Sequence, residues 1–295
     1  LSFHSAYIAL LGLPNAGKST LLNAMVQKEL CIVSDRPQTT RNQILGIRHE
    51  KDHQFLFLDT PGWYTGKLKL DQFFRKQVRL SIKDADLVCF LIDANKKGLK
   101  ANQEYYKIVS EQERPIFLII NKIDCMKQAE LIPYLGEIEK NFPGAKEYIP
   151  VSALEQNNTE HLVEVLKSYT PEGPPYFPEE MITDKSPAFL ISEFVREALF
   201  QELYQEVPFS IAVVVEDLDE YEKSIEARCS IYVETKGQKL ILLGSKGELI
   251  RKIKGNCNKR VRRYFSKKAK IDLWIKVKKG WRQDSTVLSQ IGYKA

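Results

Sequence analysis

Lys18 and Ser19 close the run Gly12-Leu13-Pro14-Asn15-Ala16-Gly17-Lys18-Ser19, which fits G-x-x-x-x-G-K-[ST] directly after an apolar strand and before the helical stretch TLLNAMVQ. Glycines let such a loop wrap closely, so the backbone N–H groups from Asn15 to Thr20 and the helix start can face phosphate oxygens. Lys18 places a positive charge at the β- and γ-phosphates, and the Ser19 hydroxyl suits Mg²⁺, which prefers oxygen ligands. Asp59-Thr60-Pro61-Gly62 follows a second apolar strand. There a carboxylate can hold a metal-bound water, and the Gly62 N–H can meet a γ-phosphate that is absent after hydrolysis. Asn121-Lys122-Ile123-Asp124 ends a further strand and selects the base. Guanine offers two adjacent donors that one carboxylate, Asp124, accepts together; adenine has no such pair, and leaving that charge unpaired costs on the order of 1 to 3 kcal/mol. Ser152-Ala153-Leu154 can close over the base with a backbone N–H.

These residues need a scaffold that brings strand ends together. Apolar runs begin at Ala6, Phe55, Ala85, Pro115 and Tyr148, most of them separated by enough chain for a crossover helix. That is the βαβ rhythm of a mainly parallel sheet in an α/β domain. Between Asn42 and Thr60, ILGIRHE and QFLFLDT flank the polar EKDH and read as an antiparallel hairpin at a sheet edge. Residues 170–187 hold five prolines without apolar periodicity and read as a stiff, extended linker. The expected domains are therefore 1–169 and 188–295, joined by 170–187.

Pro187 opens a helix whose apolar face includes Leu190, Phe194 and Leu199. Two period-two strands follow, from Phe209 and from Ile225. The apolar KLILL reads as a strand leading into Gly244-Ser245-Lys246-Gly247, then a helix from about Glu248, a second basic helix from about Asn256, and the strand IDLWIKV. Leaving KLILL out of the count, the expected order is α-β-β-α-α-β, a small α+β domain. Trp274, within that alternating strand, is expected in the core.

The 295 residues, 43% hydrophobic and 28% charged, suit a folded chain with a sizeable core and not a disordered or fibrous one. No run of about 18 apolar residues marks a membrane span. Five scattered cysteines without paired spacing suit reduced thiols in an intracellular compartment, and the four histidines, expected at the surface or in loops, form no metal-ligand pattern. Charge is lopsided: residues 236–295 hold 18 Lys and Arg against 3 Asp and Glu, whereas the rest of the chain is net acidic. A basic end of this kind meets a polyanion. In a G-x-x-G turn between apolar structure and a helix, Gly244, Ser245 and Gly247 admit a nucleic-acid backbone, while Lys246 and the helix N–H groups meet phosphate. Arg251 and Lys254 extend that surface, followed by Lys259, Arg260, Arg262 and Arg263. The rival polyanion is an acidic membrane surface, although the C-terminal IGYKA has no cysteine to carry a lipid.

GLPNAGKS, DTPG, NKID and SAL, in this order, resemble the translation-factor-related GTPases. The segment from Ser34 to Arg41, SDRPQTTR, looks like the first switch of the Era family, and WIKVKKGW is similar to the closing segment of that family's KH domains. The resemblance covers essentially the whole chain. It implies a P-loop GTPase domain followed by a KH domain, with GTP and GDP as ligands and Lys18, Thr40, Asp59 and Gly62 as the hydrolytic set. Mg²⁺ would be held by Ser19 and Thr40, with Asp59 acting through a water; Thr39 is the alternative to Thr40. It also implies K⁺ as a further cofactor at Asn15, single-stranded RNA at the 3′ end of the small ribosomal subunit as partner, a role in assembling that subunit, and a monomer. The implied location is the cytoplasm, with peripheral contact at the inner membrane or an organelle as alternatives. Ras-like enzymes orient the attacking water with a glutamine where this chain has Trp63. Slow intrinsic turnover is therefore expected, aided by a backbone-held water, Arg36, Arg41 or a monovalent cation.

Overall fold

The computed structural model describes residues 2–34, 41–63, 69–96, 98–205 and 207–283. Contacts divide the chain into two compact units, the first drawn mostly from residues before 185 and the second mostly from Lys185 onward.

In the first unit the apolar runs become strands β1 (His4–Gly12), β2 (Ile44–His49), β3 (His53–Asp59), β4 (Leu87–Asp93), β5 (Ile116–Asn121) and β6 (Glu147–Val151). Helices α1 (Lys18–Met25), α2 (Lys69–Asp84), α3 (Lys100–Ser110), α4 (Gln128–Asn141) and α5 (Thr159–Lys167) alternate with them. The sheet order is β2-β3-β1-β4-β5-β6, parallel except for β2, which pairs antiparallel with β3 at one edge as the hairpin reading expects. β4 and β5 are buried along their whole length, and for that reason they read as continuous apolar runs and not as alternating ones. Parallel register then brings the chemistry to one end of the sheet. Leu10 faces Asp59, Gly12 faces Leu91, and Asn121 lies between Asp93 and Val151. Ligands bind at this carboxyl edge in open α/β sheets.

The proline-rich stretch read as a linker does not hang free. Its residues 170–184 group with the first unit. The reason is Gln54, fully buried on β3: its Oε1 accepts the N–H groups of Tyr176 (2.7 Å) and Phe177 (3.1 Å), and its Nε2 donates to the Phe177 carbonyl at 2.7 Å. Ile47 N–H donates to Ile182 O at 2.9 Å, and Phe177 and Met181 pack on Leu45, Ile47, Leu56 and Leu58. His4, His49 and His53 lie on strands, partly buried, and not in loops; His161 is exposed on α5.

The second unit comprises α6 (Pro187–Glu202), β7 (Ala212–Glu220), β8 (Ser224–Val233), α7 (Lys236–Leu243), α8 (Glu248–Phe265) and β9 (Lys268–Val277), with sheet order β7-β8-β9. β7 and β8 are antiparallel; β8 and β9 are parallel. Ser186 caps α6 by accepting the Phe189 N–H, with Pro187 at the first turn. Three expectations are corrected. KLILL belongs to α7, because Thr235 and Gln238 form a capping box that starts a helix there. The two basic helices are one, α8, running through Gly255 and Asn256; Asn256 Nδ2 donates to Glu202 at 3.0 Å. Trp274 is 60% exposed, whereas Trp281 is fully buried, its indole N–H donating to Ser210 O at 3.1 Å.

Candidate functional site

α1 starts at Lys18 because Gly17, at φ 92°, turns the phosphate loop into the helix in a conformation that few other residues adopt. A Cβ at Gly17 would lie 2.1 Å from Asn121 Nδ2, so the loop and the base-side strand touch where only glycine fits. Lys18 is 6% exposed, and its ammonium donates to Gly12 O (3.2 Å) and Leu13 O (3.1 Å), which holds it beneath the loop. Burial lowers its pKa to about 8; Asp59 raises it and Lys96 lowers it. Ser19 Oγ donates to Asp59 Oδ2 at 2.7 Å. That contact sets two hard oxygen donors side by side, in keeping with a divalent cation that favours oxygen. The Thr60 hydroxyl is tied to Leu10 O at 2.8 Å, fixing the start of the DTPG turn. A Cβ on Gly62 would come within 3.0 Å of Pro14, so the turn lies directly against the phosphate loop.

The base side is built by one asparagine. Asn121 Nδ2 donates to Ala16 O at 2.9 Å, and its Oδ1 accepts the Ala153 N–H at 3.0 Å, which joins phosphate loop, strand β5 and the SAL turn. Ser152 Oγ donates to Asp124 Oδ1 at 2.5 Å. This bond, ahead of a weaker opposing effect of burial, holds the Asp124 carboxyl below the usual aspartate range, so it presents an acceptor. Leu154 is 74% exposed at the lip.

Lys122 reaches Asp93 Oδ2 at 2.9 Å, and Lys96 Nζ donates to Pro14 O at 3.2 Å. Sequence reading missed Asp93 and Lys96, since neither belongs to a motif; the apolar run ending in Asp93 between two motif strands is the only signal. Arg36, Thr39 and Thr40 lie outside the described residues. Arg41 is completely buried. Trp63 stacks on Tyr105 with centroids 4.9 Å apart and planes 18° from parallel, so its ring is packed in place.

In the second unit the G-x-x-G turn joins α7 to α8. Gly244 adopts φ 69°, and a Cβ there would lie 2.7 Å from Leu249 Cβ, so glycine is required. Lys246 is exposed, and Gly247 caps α8, leaving the helix start at the turn. Arg251 folds back on it, donating to Gly247 O (3.1 Å) and Lys246 O (2.9 Å). Lys254 is engaged elsewhere, with Asp272 of β9 at 2.6 Å, and Arg260 pairs with Glu197 at 2.8 Å over the Phe194 ring. Leu240 and Ile241 are exposed on α7 just before the turn.

Fold and sites together define a P-loop GTPase joined to a KH module. Residues 7–122 match the family described as 50S ribosome-binding GTPase, and residues 206–282 match the KH domain family. The chain is 38% identical to GTPase Era of Lactobacillus delbrueckii subsp. bulgaricus over 98% of its length and 96% of that protein. It is also 38% identical to GTPase Era of Clostridium kluyveri, over 98% and 99%. A crystal structure of a substituted Aquifex aeolicus Era bound to GDP·AlF4⁻ superposes with a TM-score of 0.95 at 32% identity, covering 99% of this chain and all of the other. Era in complex with MgGDPNP and nucleotides 1506–1542 of 16S ribosomal RNA gives 0.94 at 32% identity, with the same coverage. The chain belongs to the Era family of GTPases and hydrolyses GTP.

Proposed function

We propose that the chain is a GTP-driven switch that holds single-stranded RNA near the 3′ end of the small ribosomal subunit and assists assembly of that subunit in the cytoplasm. The observation that carries this reading is a guanine-selecting site and a phosphate-admitting G-x-x-G turn in one chain. The related Era bound to a 16S RNA segment supports it. The RNA surface in this reading is Gly244 to Gly247 with Arg251 and Lys254, Lys246 and the α8 N-terminus meeting phosphate.

On the nucleotide side, Asn15 to Thr20 surround the phosphates, Asp124 selects guanine, and Asn121 and Ala153 hold the pocket's shape. Ser19 and Thr40, with Asp59 through a water, are the residues that would hold Mg²⁺, which when bound offsets charge on the phosphates. The Ser19–Asp59 oxygen pair fits it. Lys18 and backbone donors neutralise charge developing on the transferred group. Trp63 has no acid–base group, so turnover without a helper is slow; Asn15 offers a carbonyl oxygen for K⁺ as that helper. Equal GTPase rates in K⁺ and Na⁺ at matched ionic strength would reject this cation.

The test of the whole reading is equilibrium binding of the labelled RNA 3′ segment and a scrambled control, at fixed salt, with a non-hydrolysable GTP analogue and with GDP. Selective binding at least about five-fold tighter with the analogue is the expected result. Equal binding of both RNAs in both states would overturn it.

A further inference from the structure

The turn after β4 carries no motif, yet it touches both halves of the nucleotide site. Asp93 is the last residue of β4 and 7% exposed, and its two oxygens have separate tasks. Oδ1 accepts the Asn95 N–H at 3.0 Å, which fixes the carboxylate's own orientation; Oδ2 meets Lys122 Nζ at 2.9 Å. Asp93 ends one strand, and Lys122 directly follows the strand bonded to it. Asp93 is in register with Asn121, and the Ala94 N–H donates to Asn121 O at 2.9 Å. In the same turn the Lys96 N–H donates to Asp93 O at 3.2 Å, and its ammonium holds the Pro14 carbonyl of the phosphate loop.

Lys122 is a residue in need of such guidance. Its backbone is left-handed, at φ 69° and ψ 37°, and its stem passes beside Gly17, where a Cβ would lie 4.0 Å from Lys122 Cε. A lysine stem has several freely rotating bonds and an ammonium that water would otherwise draw outward. A buried, pre-oriented carboxylate at its tip selects the arrangement that lays the stem along the phosphate loop.

We infer that Asp93 is a positioning residue of the guanine-nucleotide site, aiming Lys122, while Lys96 of the same turn steadies the phosphate loop at Pro14. The inference rests on the nucleotide reading above. Its test is the release rate of a fluorescent GDP from the full chain, measured for wild type, Asp93→Ala, Asp93→Asn, Lys122→Ala and the double variant Asp93→Ala/Lys122→Ala. Asp93→Ala should release GDP roughly ten-fold faster, and the double variant no faster than Lys122→Ala alone, because both changes break one linkage. Multiplying effects would show that Asp93 acts on the fold in general and would overturn the inference. Unchanged release from Asp93→Ala would do the same. Asp93→Asn retains an oxygen for Asn95 and removes only the charge, so it supplies the comparison if the alanine variant does not fold. A wild-type chain that retains no GDP would instead overturn the nucleotide reading itself.

Discussion

The two sites of this chain solve anion recognition in opposite ways. In the first unit Lys18, Asp59, Asn121 and Ser152 are buried, and short bonds run between them and neighbouring strands and loops. In the second unit Lys246 is exposed on a turn, and several basic residues around it are already engaged: Lys254 with Asp272, Lys252 with Glu202, Arg260 with Glu197. The first site is a preorganised socket whose anchoring groups are buried, where low dielectric strengthens them, although Asp124 itself is exposed. The second is an open surface whose proposed affinity for RNA would come from phosphate charge and depend on salt. Substitutions should therefore act through shape and hydrogen bonding in the first, and through charge count and backbone conformation in the second.

Lys18→Ala should break the socket most severely. It removes the buried cation placed at the proposed phosphate site, and GTP hydrolysis should fall by at least about 100-fold, while RNA binding measured by filter assay without nucleotide stays within about two-fold. A parallel loss of both would erase the contrast between the units. Asp124→Asn should cost guanine binding about 10- to 100-fold, because an amide cannot accept both donors, and should improve binding of xanthosine diphosphate, whose base carries an acceptor in place of the amine. Titration calorimetry with both nucleotides reads the exchange.

Within the proposed RNA surface, Gly244→Ala should weaken RNA binding about ten-fold and lower the second unit's stability by about 1 to 2 kcal/mol, since φ 69° and the Leu249 contact both oppose a Cβ. Lys246→Ala keeps the turn and should reduce the slope of log affinity against log salt by about one. A slope unchanged by Lys246→Ala would remove that residue from the phosphate contacts.

The smallest effect sharpens the base side. Ser152 holds the Asp124 pKa below its ordinary value, so in the wild type the carboxylate form persists as pH falls. Ser152→Ala removes the largest stabiliser of that form, the pKa rises, and the loss of GDP affinity on acidification should begin at higher pH. Fluorescent GDP titrations from pH 7 downward, on both proteins, read the order of the two acid limbs; an identical limb would show that the hydroxyl does not tune Asp124.

Much of this was legible along the chain. The order of phosphate loop, DTPG, NKID and SAL, the buried strands that carry them, and the antiparallel edge hairpin all rest on local rules of period and turn. Those rules misread KLILL, because four apolar residues suit strand or helix equally and the decision fell to the Thr235–Gln238 capping box at the other end of α7. They also misplaced Trp274. Alternation along β9 sorts residues onto two faces, but only the packing of α8 and α7 against β9 determined that Ile271 is covered and Trp274 is not.

By itself, the sequence determined which groups the proposed reading rests on: a lysine and serine for phosphate and metal, an aspartate for guanine, a glycine turn with a lysine for RNA backbone. Those identities follow from chemistry and short-range spacing. Only tertiary structure decided how they are held: Asn121 joining Ala16 to Ala153, Asp93 meeting Lys122, Gln54 binding the 170–184 stretch to β3, and Lys254 turned toward Asp272. The physical reason is that these partners are far apart along the chain in most cases, and strand order and register, not local propensity, set which side chains come within bonding distance.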